Sequence, residues 1–154
     1  WKRVIWLWLK SISNLPNSAQ RQQLKLSHLG INSGRIISMN IKRGEIYWVD
    51  WSPGRGSEQQ GTRPSLVIQN DIGNKFSPTT IVATITSAEE RPYPFLVRFT
   101  GSESGLERGG FVNLSAILTI DKTTIGDKCG QLTSNKMLEV DSAIKASLGL
   151  VELE

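Results

Sequence analysis

The segment Gly61-Thr62-Arg63-Pro64-Ser65-Leu66-Val67-Ile68-Gln69-Asn70-Asp71 carries a short apolar run between a glycine-rich loop and a turn. Runs of this length and composition are typical of buried strands, and we predict a strand over Ser65–Asn70. Arg63 stands at the mouth of that strand, directly after the loop. A planar, permanently charged guanidinium held in this way is suited to binding a phosphate through two hydrogen bonds. The alternative is an ordinary solvated cation.

Strand signals continue on both sides of this segment. Glu45–Trp51 alternates apolar and polar residues, and Thr79–Thr86 is a second run rich in Val and Ile. Between the apolar runs, Asp71–Phe76 is predicted to form one helical turn capped by Asn70. Further strand candidates are Phe95–Thr100, Gly110–Leu114, Ile117–Ile120 and Thr124–Gln131.

The end of the chain has helical spacing instead. Ser134 is a predicted N-cap, and Gly149 ends the helical run. The apolar residues that recur at this spacing are Met137, Val140, Ile144 and Leu148. Many short strands followed by one terminal helix predict a mainly β fold, a small curled β-barrel with a C-terminal helix packed on it.

Charge divides the chain into two parts. The 154 residues carry a net charge of +4, but residues 1–38 hold 6 of the 18 basic residues and no acid. Residues 39–154 contain the remaining 12 basic residues and all 14 acidic residues, which gives this part of the chain a net charge of −2. We predict an irregular basic leader over 1–38, either disordered or not native, with Met39 as the physiological start and 39–154 as the domain. Contact between this domain and a polyanion must then come from a local cluster of cations.

Composition also excludes several kinds of site. A single cysteine and a single histidine favour neither an internal disulfide nor a zinc site. The apolar run Val4–Leu9 is far shorter than the about 20 residues that span a bilayer. We therefore expect no membrane span, no metal and a reducing cytoplasm.

Several short motifs follow one another in a fixed order. They are Lys42–Tyr47, Gly56–Gln59, Arg63-Pro64, Val67–Asp71, Phe76–Thr79 and Thr84–Thr86. Together they make residues 40–150 resemble the MazF/PemK toxins, which are the endoribonuclease halves of bacterial toxin–antitoxin pairs. The resemblance implies an SH3-like barrel of the PemK/CcdB kind, a homodimer, and sequence-specific cleavage of single-stranded mRNA without metal or cofactor. It also implies an antitoxin whose acidic, disordered tail occupies the RNA groove.

The resemblance assigns roles to individual residues. The catalytic arginine falls on Arg63 and the catalytic hydroxyl on Thr86, although a threonine at a strand end is commonly only a strand former. The loop residues that gate the groove fall on Ser57, Glu58 and Gln59. Asn70 becomes a substrate contact in addition to a helix cap.

Two further groups are suggested by the residues themselves. Arg55, flanked by Gly54 and Gly56, is a second candidate for holding a phosphate, and the alternative is a mobile loop charge. Trp48 and Trp51 are an odd number of residues apart, so we expect them on opposite faces of their strand. One is predicted to pack in the core and the other to stack on a base or line a dimer face, with packing for both as the alternative.

Cleavage of RNA by its own 2′-hydroxyl needs charge stabilisation at the phosphate and proton transfer at both ends. Arg63 would supply the stabilisation, and the Thr86 hydroxyl would orient the phosphate. A nucleophilic threonine is not expected, because the domain has no histidine to activate it. For the base, three options stay open: Glu58, an atypical role for Arg63, and assistance by the substrate.

One departure from the family pattern supports a different class of function. Ala116 stands three residues before Thr119-Ile120-Asp121, where related members often carry Gln. A protein of the toxin fold that binds gyrase, an antitoxin or RNA without cutting is therefore the alternative hypothesis. The gyrase-directed branch uses an aromatic residue near the chain end, and Gly149–Glu154 has none.

Overall fold

The computed structural model describes residues 40–56, 58–87 and 93–151. The predicted leader and start residue, and Ser57 in the loop, lie outside these residues. The strands are β1 (Glu45–Asp50), β2 (Thr62–Val67), β3 (Thr79–Thr86), β4 (Leu96–Phe99), β5 (Gly110–Asp121) and β6 (Lys128–Gln131). The helices are α1 (Asp71–Phe76), α2 (Gly101–Ser104) and α3 (Ser134–Ser147). The mainly β fold with a C-terminal helix is confirmed.

All six strands belong to one antiparallel sheet in the order β4-β5-β3-β2-β1-β6. β5 pairs with both β3 and β4. Its register against β3 shifts between two consecutive residues of β3: Ala83 pairs with Ile117, and Thr84 pairs with Asn113. The residues between Asn113 and Ile117 form a bulge, which bends the strand. The two strands predicted over Gly110–Leu114 and Ile117–Ile120 are therefore one long strand with an irregularity.

The two faces of the sheet bury different clusters, as the side-chain alternation of strands requires. On one face, Ile46, Leu66 and Val112 belong to the same buried cluster as Val140 of α3. The other face buries a smaller cluster. Its members are Ile41, Tyr47, Val49, Val67, Val82, Ile120 and Ile125.

Several boundaries differ from the sequence predictions. β2 begins at Thr62 because the pairing of Arg63 with Val49 extends the strand toward the loop. Thr124–Gln131 is not one strand, because the Asp121 carboxylate accepts from the Thr123 N–H (2.8 Å) and starts a 3-10 turn ahead of β6. The N-cap of α3 is Thr133 rather than Ser134.

The predicted cap of α1 is confirmed. The Asn70 side chain accepts a hydrogen bond from the Gly73 N–H at 2.8 Å. The short helix α2 was not predicted, since four residues leave too little periodicity to detect. Within the described residues, no helix is both long and apolar enough to cross a membrane.

Candidate active site

A cleft of about 530 Å³ lies at the end of the sheet where β2 begins and β3 ends. Arg63 and Thr86 both line it. The other lining residues are Trp48, Pro64, Ile85, Ser87, Phe99, Gly105, Leu106, Glu107, Arg108, Gly109 and Cys129. The structure thus brings together, in one concave site, the two residues to which sequence analysis gave the central chemistry.

The pairing of β2 with β3 explains why Arg63 and Thr86 meet. Ser65 pairs with Thr84 in an antiparallel register. Arg63 and Thr86 each lie two residues further toward the same end, so both belong to the same face as that pair. The half-buried Arg63 and the half-buried Thr86 are therefore neighbours at one corner of the sheet.

The guanidinium of Arg63 is anchored by one of its nitrogens. Its Nε donates to the carbonyl oxygen of Gln60 at 2.8 Å. Among the described residues, no other hydrogen bond or ion pair involves this side chain. The two terminal nitrogens can therefore donate to a ligand such as a phosphate, and the loop carbonyl limits their rotation.

Thr86 is the last residue of β3 and pairs with Phe111 of β5. The preceding residue of β5, Gly110, approaches it closely: a Cβ at Gly110 would lie 2.8 Å from the Thr86 carbonyl oxygen. Only a residue without a side chain permits this approach. Gly110 therefore helps to fix the position of Thr86 in the cleft wall.

The loop between α2 and β5 forms another wall of the cleft. It presents two exposed charged residues, Glu107 and Arg108, which sequence analysis did not identify as site residues. Neither side chain has a hydrogen bond or ion pair with the described part of the chain. The only indication of this loop in the sequence is the Gly109-Gly110 pair that follows the two residues. Glycine is required where one backbone segment approaches another closely.

The two tryptophans occupy different environments, as predicted. Trp48 is 43% exposed and lines the cleft. Trp51 is half-buried, packs against the smaller core cluster, and donates from Nε1 to Ser65 Oγ at 2.9 Å. Trp51 is thus a packing residue, and Trp48 is the indole that a ligand in the cleft can reach.

The other predicted site residues do not line this cleft in the described structure. The Glu58 carboxylate accepts from the Arg55 N–H at 2.8 Å and closes a turn of the loop that also holds Gln59. Asn70 Oδ1 is used in capping α1. Asn70 follows β2 at the end opposite to Arg63, roughly 20 Å along the strand.

The charges in the cleft are mixed but favour an anion. Two arginines and one carboxylate line it among the described residues. Burial raises the pKa of the Cys129 thiol, so this group is uncharged near neutral pH. Because the thiolate is the reactive form, Cys129 is not suited to act as a nucleophile.

Comparisons with known proteins identify a matching family model and similar sequences. A family model described as PemK-like, MazF-like toxin of type II toxin–antitoxin system matches residues 42–148. The chain is similar to endoribonuclease EndoA of Bacillus subtilis (strain 168), with 47% identity over 115 residues, 74% of this chain and 99% of that protein. It is also similar to endoribonuclease MazF of Staphylococcus epidermidis, with 44% identity over 111 residues, 71% of this chain and 92% of that protein.

Solved structures share the fold. An endoribonuclease from Mycobacterial species in complex with its cognate antitoxin superposes with a TM-score of 0.61 at 26% identity, covering 73% of this chain and 99% of that one. MazF from Deinococcus radiodurans gives a TM-score of 0.61 at 24% identity, covering 71% and 96%. The curled sheet with its C-terminal helix is therefore an architecture already known in solved toxins.

Proposed function

The chain belongs to the PemK-like, MazF-like toxins of type II toxin–antitoxin systems, and from this premise we propose how its cleft cuts RNA. It is an RNA-cleaving toxin that an antitoxin neutralises. The observation that carries the proposed mechanism is that Arg63 and Thr86 line the same cleft.

In this mechanism a single-stranded RNA places one phosphodiester between Arg63 and Thr86. The 2′-oxygen attacks the neighbouring phosphorus, the bond from 2′-oxygen to phosphorus forms, and the bond to the 5′-oxygen breaks. Arg63 donates to the phosphate oxygens on which charge develops, and the Thr86 hydroxyl orients the phosphate. The 5′-oxygen takes up a proton from water as it leaves, so the products are a 2′,3′-cyclic phosphate and a 5′-hydroxyl, and no metal takes part.

The proton of the 2′-hydroxyl needs an acceptor. Glu107 is the one carboxylate among the described residues that line the cleft, whereas Glu58 binds the backbone of its own loop. We therefore assign Glu107 as the proton acceptor. A carboxylate positioned in this way contributes by general base catalysis.

The partners follow from the same site. The acidic, disordered tail of an antitoxin would complement Arg63 and Arg108 and exclude RNA by occupying the cleft. We propose that the toxin acts as a homodimer in the cytoplasm, where mRNA is available.

The test is cleavage of mixed-sequence single-stranded RNA by the 154-residue protein in the presence of EDTA. We expect fragments that end in 2′,3′-cyclic phosphate. Arg63→Ala should lower the cleavage rate by about 10² to 10³. Arg98→Ala is the matched control, because Arg98 is an exposed arginine of β4 that does not line the cleft.

Full activity of Arg63→Ala would overturn the proposed site. RNA that stays intact with the unmodified protein, together with inhibition of gyrase, would support the non-cutting alternative instead.

A further inference from the structure

We propose that Trp48 and Arg108 form a second nucleotide subsite in the cleft. In it, Trp48 stacks on an unpaired base of the RNA, and Arg108 binds a phosphate beside the one that Arg63 holds. The inference rests on the proposed function, because it takes the chain in the cleft to be single-stranded RNA.

The exposure of Trp48 is not explained by packing. Its neighbours on the same face, Ile46 and Leu66, are fully buried, yet Trp48 is 43% exposed. It lies where that face reaches the cleft. A large apolar ring left open to a concave site provides a flat surface on which a base can stack.

The backbone of Trp48 is held at both its N–H and its carbonyl oxygen by the segment that precedes β6. Its N–H donates to the carbonyl oxygen of Asp127 at 3.1 Å, and its carbonyl oxygen accepts from the Gly126 N–H at 2.9 Å. A Cβ at Gly126 would lie 2.9 Å from the Trp48 carbonyl oxygen, so the two segments are in close contact. Stacking on a ring with a fixed backbone costs less conformational entropy than stacking on a mobile one.

The backbone around Arg108 is also fixed. The buried Ser104 hydroxyl donates to the Thr100 carbonyl oxygen at 3.0 Å and accepts from the Leu106 N–H at 3.2 Å. On the other side, a Cβ at Gly109 would lie 2.5 Å from the carbonyl oxygen of Phe99. The loop therefore holds Arg108 against the cleft, while its guanidinium has no partner in the described structure.

The combination of groups identifies the ligand class. Single-stranded nucleic acids are bound by cations that follow the backbone and by aromatic rings that stack on the bases. Arg63, Arg108 and Trp48 provide this combination in one cleft. Both phosphate contacts and the stacked base then belong to one short segment of RNA that runs past the site of cleavage.

The test measures binding rather than cleavage. The unmodified protein and its variants are titrated at several salt concentrations with a fluorescent, mixed-sequence single strand in which every ribose lacks the 2′-hydroxyl. Arg108→Gln should weaken binding and lower the slope of log K against log salt by about 0.7, the value for one lost phosphate contact. Arg108→Lys should keep the slope, because it keeps the charge.

Trp48→Ala should weaken binding about 5- to 150-fold, as expected for one stacked base, and leave the salt slope unchanged. Trp48→Phe should recover much of the loss. The matched controls are Arg98→Gln and Phe76→Ala, an exposed arginine and an exposed aromatic residue outside the cleft. Both should bind like the unmodified protein.

Either of two results would overturn the subsite: an unchanged salt slope in Arg108→Gln, or unchanged affinity in Trp48→Ala. Parallel cleavage of natural RNA by the unmodified protein and Arg63→Ala reports separately on the proposed function. If cleavage depends on Arg63 while the Trp48 and Arg108 variants bind normally, only the subsite is wrong.

Discussion

In the proposed mechanism, the chemistry of the cleft depends on the hydrogen bond that the Nε of Arg63 makes. Because Nε donates to the Gln60 carbonyl oxygen at 2.8 Å, the guanidinium plane is oriented before any substrate arrives. A preorganised donor stabilises developing charge without having to reorganise during the reaction. In the proposed mechanism the loop before β2 therefore contributes to catalysis by orienting Arg63, although its other described side chains do not line the cleft.

This arrangement predicts that charge alone does not suffice at position 63. Arg63→Lys keeps the positive charge but loses the anchoring Nε–H and the two parallel donors. We expect its cleavage rate to fall by about 10-fold or more, with a smaller change in RNA affinity. Single-turnover cleavage and equilibrium binding separate the two effects. A lysine variant with the original rate would show that the position needs only a cation.

The assignment of the proton acceptor predicts a contrast between two glutamates. Glu107→Gln should slow cleavage by about 10² or more, since a positioned base contributes about 10²- to 10⁴-fold. Glu58→Gln serves as the control and should have a much smaller effect, because its carboxylate binds the Arg55 N–H within the loop. Rates at saturating RNA are the measurement. A larger loss of cleavage rate in Glu58→Gln than in Glu107→Gln would assign the role of proton acceptor to Glu58 instead.

At the scale of the elements, the position of Thr86 depends on the start of β5. Gly110→Ala would bring a Cβ to within 2.8 Å of the Thr86 carbonyl oxygen and 3.3 Å of the Phe99 ring. Because the first of these is backbone, the strands must separate, and we expect a loss of about 1–3 kcal/mol in the free energy of unfolding. Cleavage should slow as well, since Thr86 moves with its strand.

Gly73→Ala in α1 is the control for this substitution. Its new Cβ would meet the Gln69 side chain, at 3.1 Å or more, rather than backbone, and its φ does not favour glycine. Urea denaturation and cleavage assays on both variants provide the comparison. Equal losses in the two variants would contradict the argument from close approach.

The same elements show what sequence could and could not predict. Arg63 and Thr86 were predictable as residues of one cleft, because each lies at the end of an apolar strand within a local motif, and their catalytic roles stay predictions. Glu107 and Arg108 were not, because their loop reaches the cleft only through the pairing of β5 with both β3 and β4. The bulge after Asn113 interrupts the alternation of β5, so the sequence predicts two strands where the structure has one.

At the scale of the whole molecule, one buried carboxylate links β1 and β6, the first and last strands in chain order, which are neighbours in the sheet. Glu45 of β1 accepts from the Lys42 N–H (2.7 Å), from the Tyr47 hydroxyl (2.8 Å) and from Lys128 Nζ of β6 (2.7 Å). Burial by itself raises the pKa of Glu45, but these hydrogen bonds and the charge of Lys128 outweigh it and hold the pKa below its usual value. The carboxylate is therefore more stable ionised in the folded protein than in the unfolded chain.

The sign of this shift predicts a loss of stability in acid. A carboxyl group with a lowered pKa stabilises the folded state above the pKa of the unfolded chain, about 4.3, and the contribution disappears as pH falls through the lower folded value. At pH 7, Glu45→Gln should cost about 1–3 kcal/mol in the free energy of unfolding.

That difference between Glu45→Gln and the unmodified protein should shrink steadily once the pH is below about 4.3, because protonation then removes the ionised acceptor from the unmodified protein as well. Urea denaturation at neutral and acidic pH measures it. Glu139→Gln is the control, since the exposed Glu139 side chain pairs within α3 with Lys136, and the substitution should change stability little at any pH. A deficit of Glu45→Gln that stays constant through the acidic range would show that the link between β1 and β6 depends on hydrogen bonding or shape, and not on the ionised carboxylate.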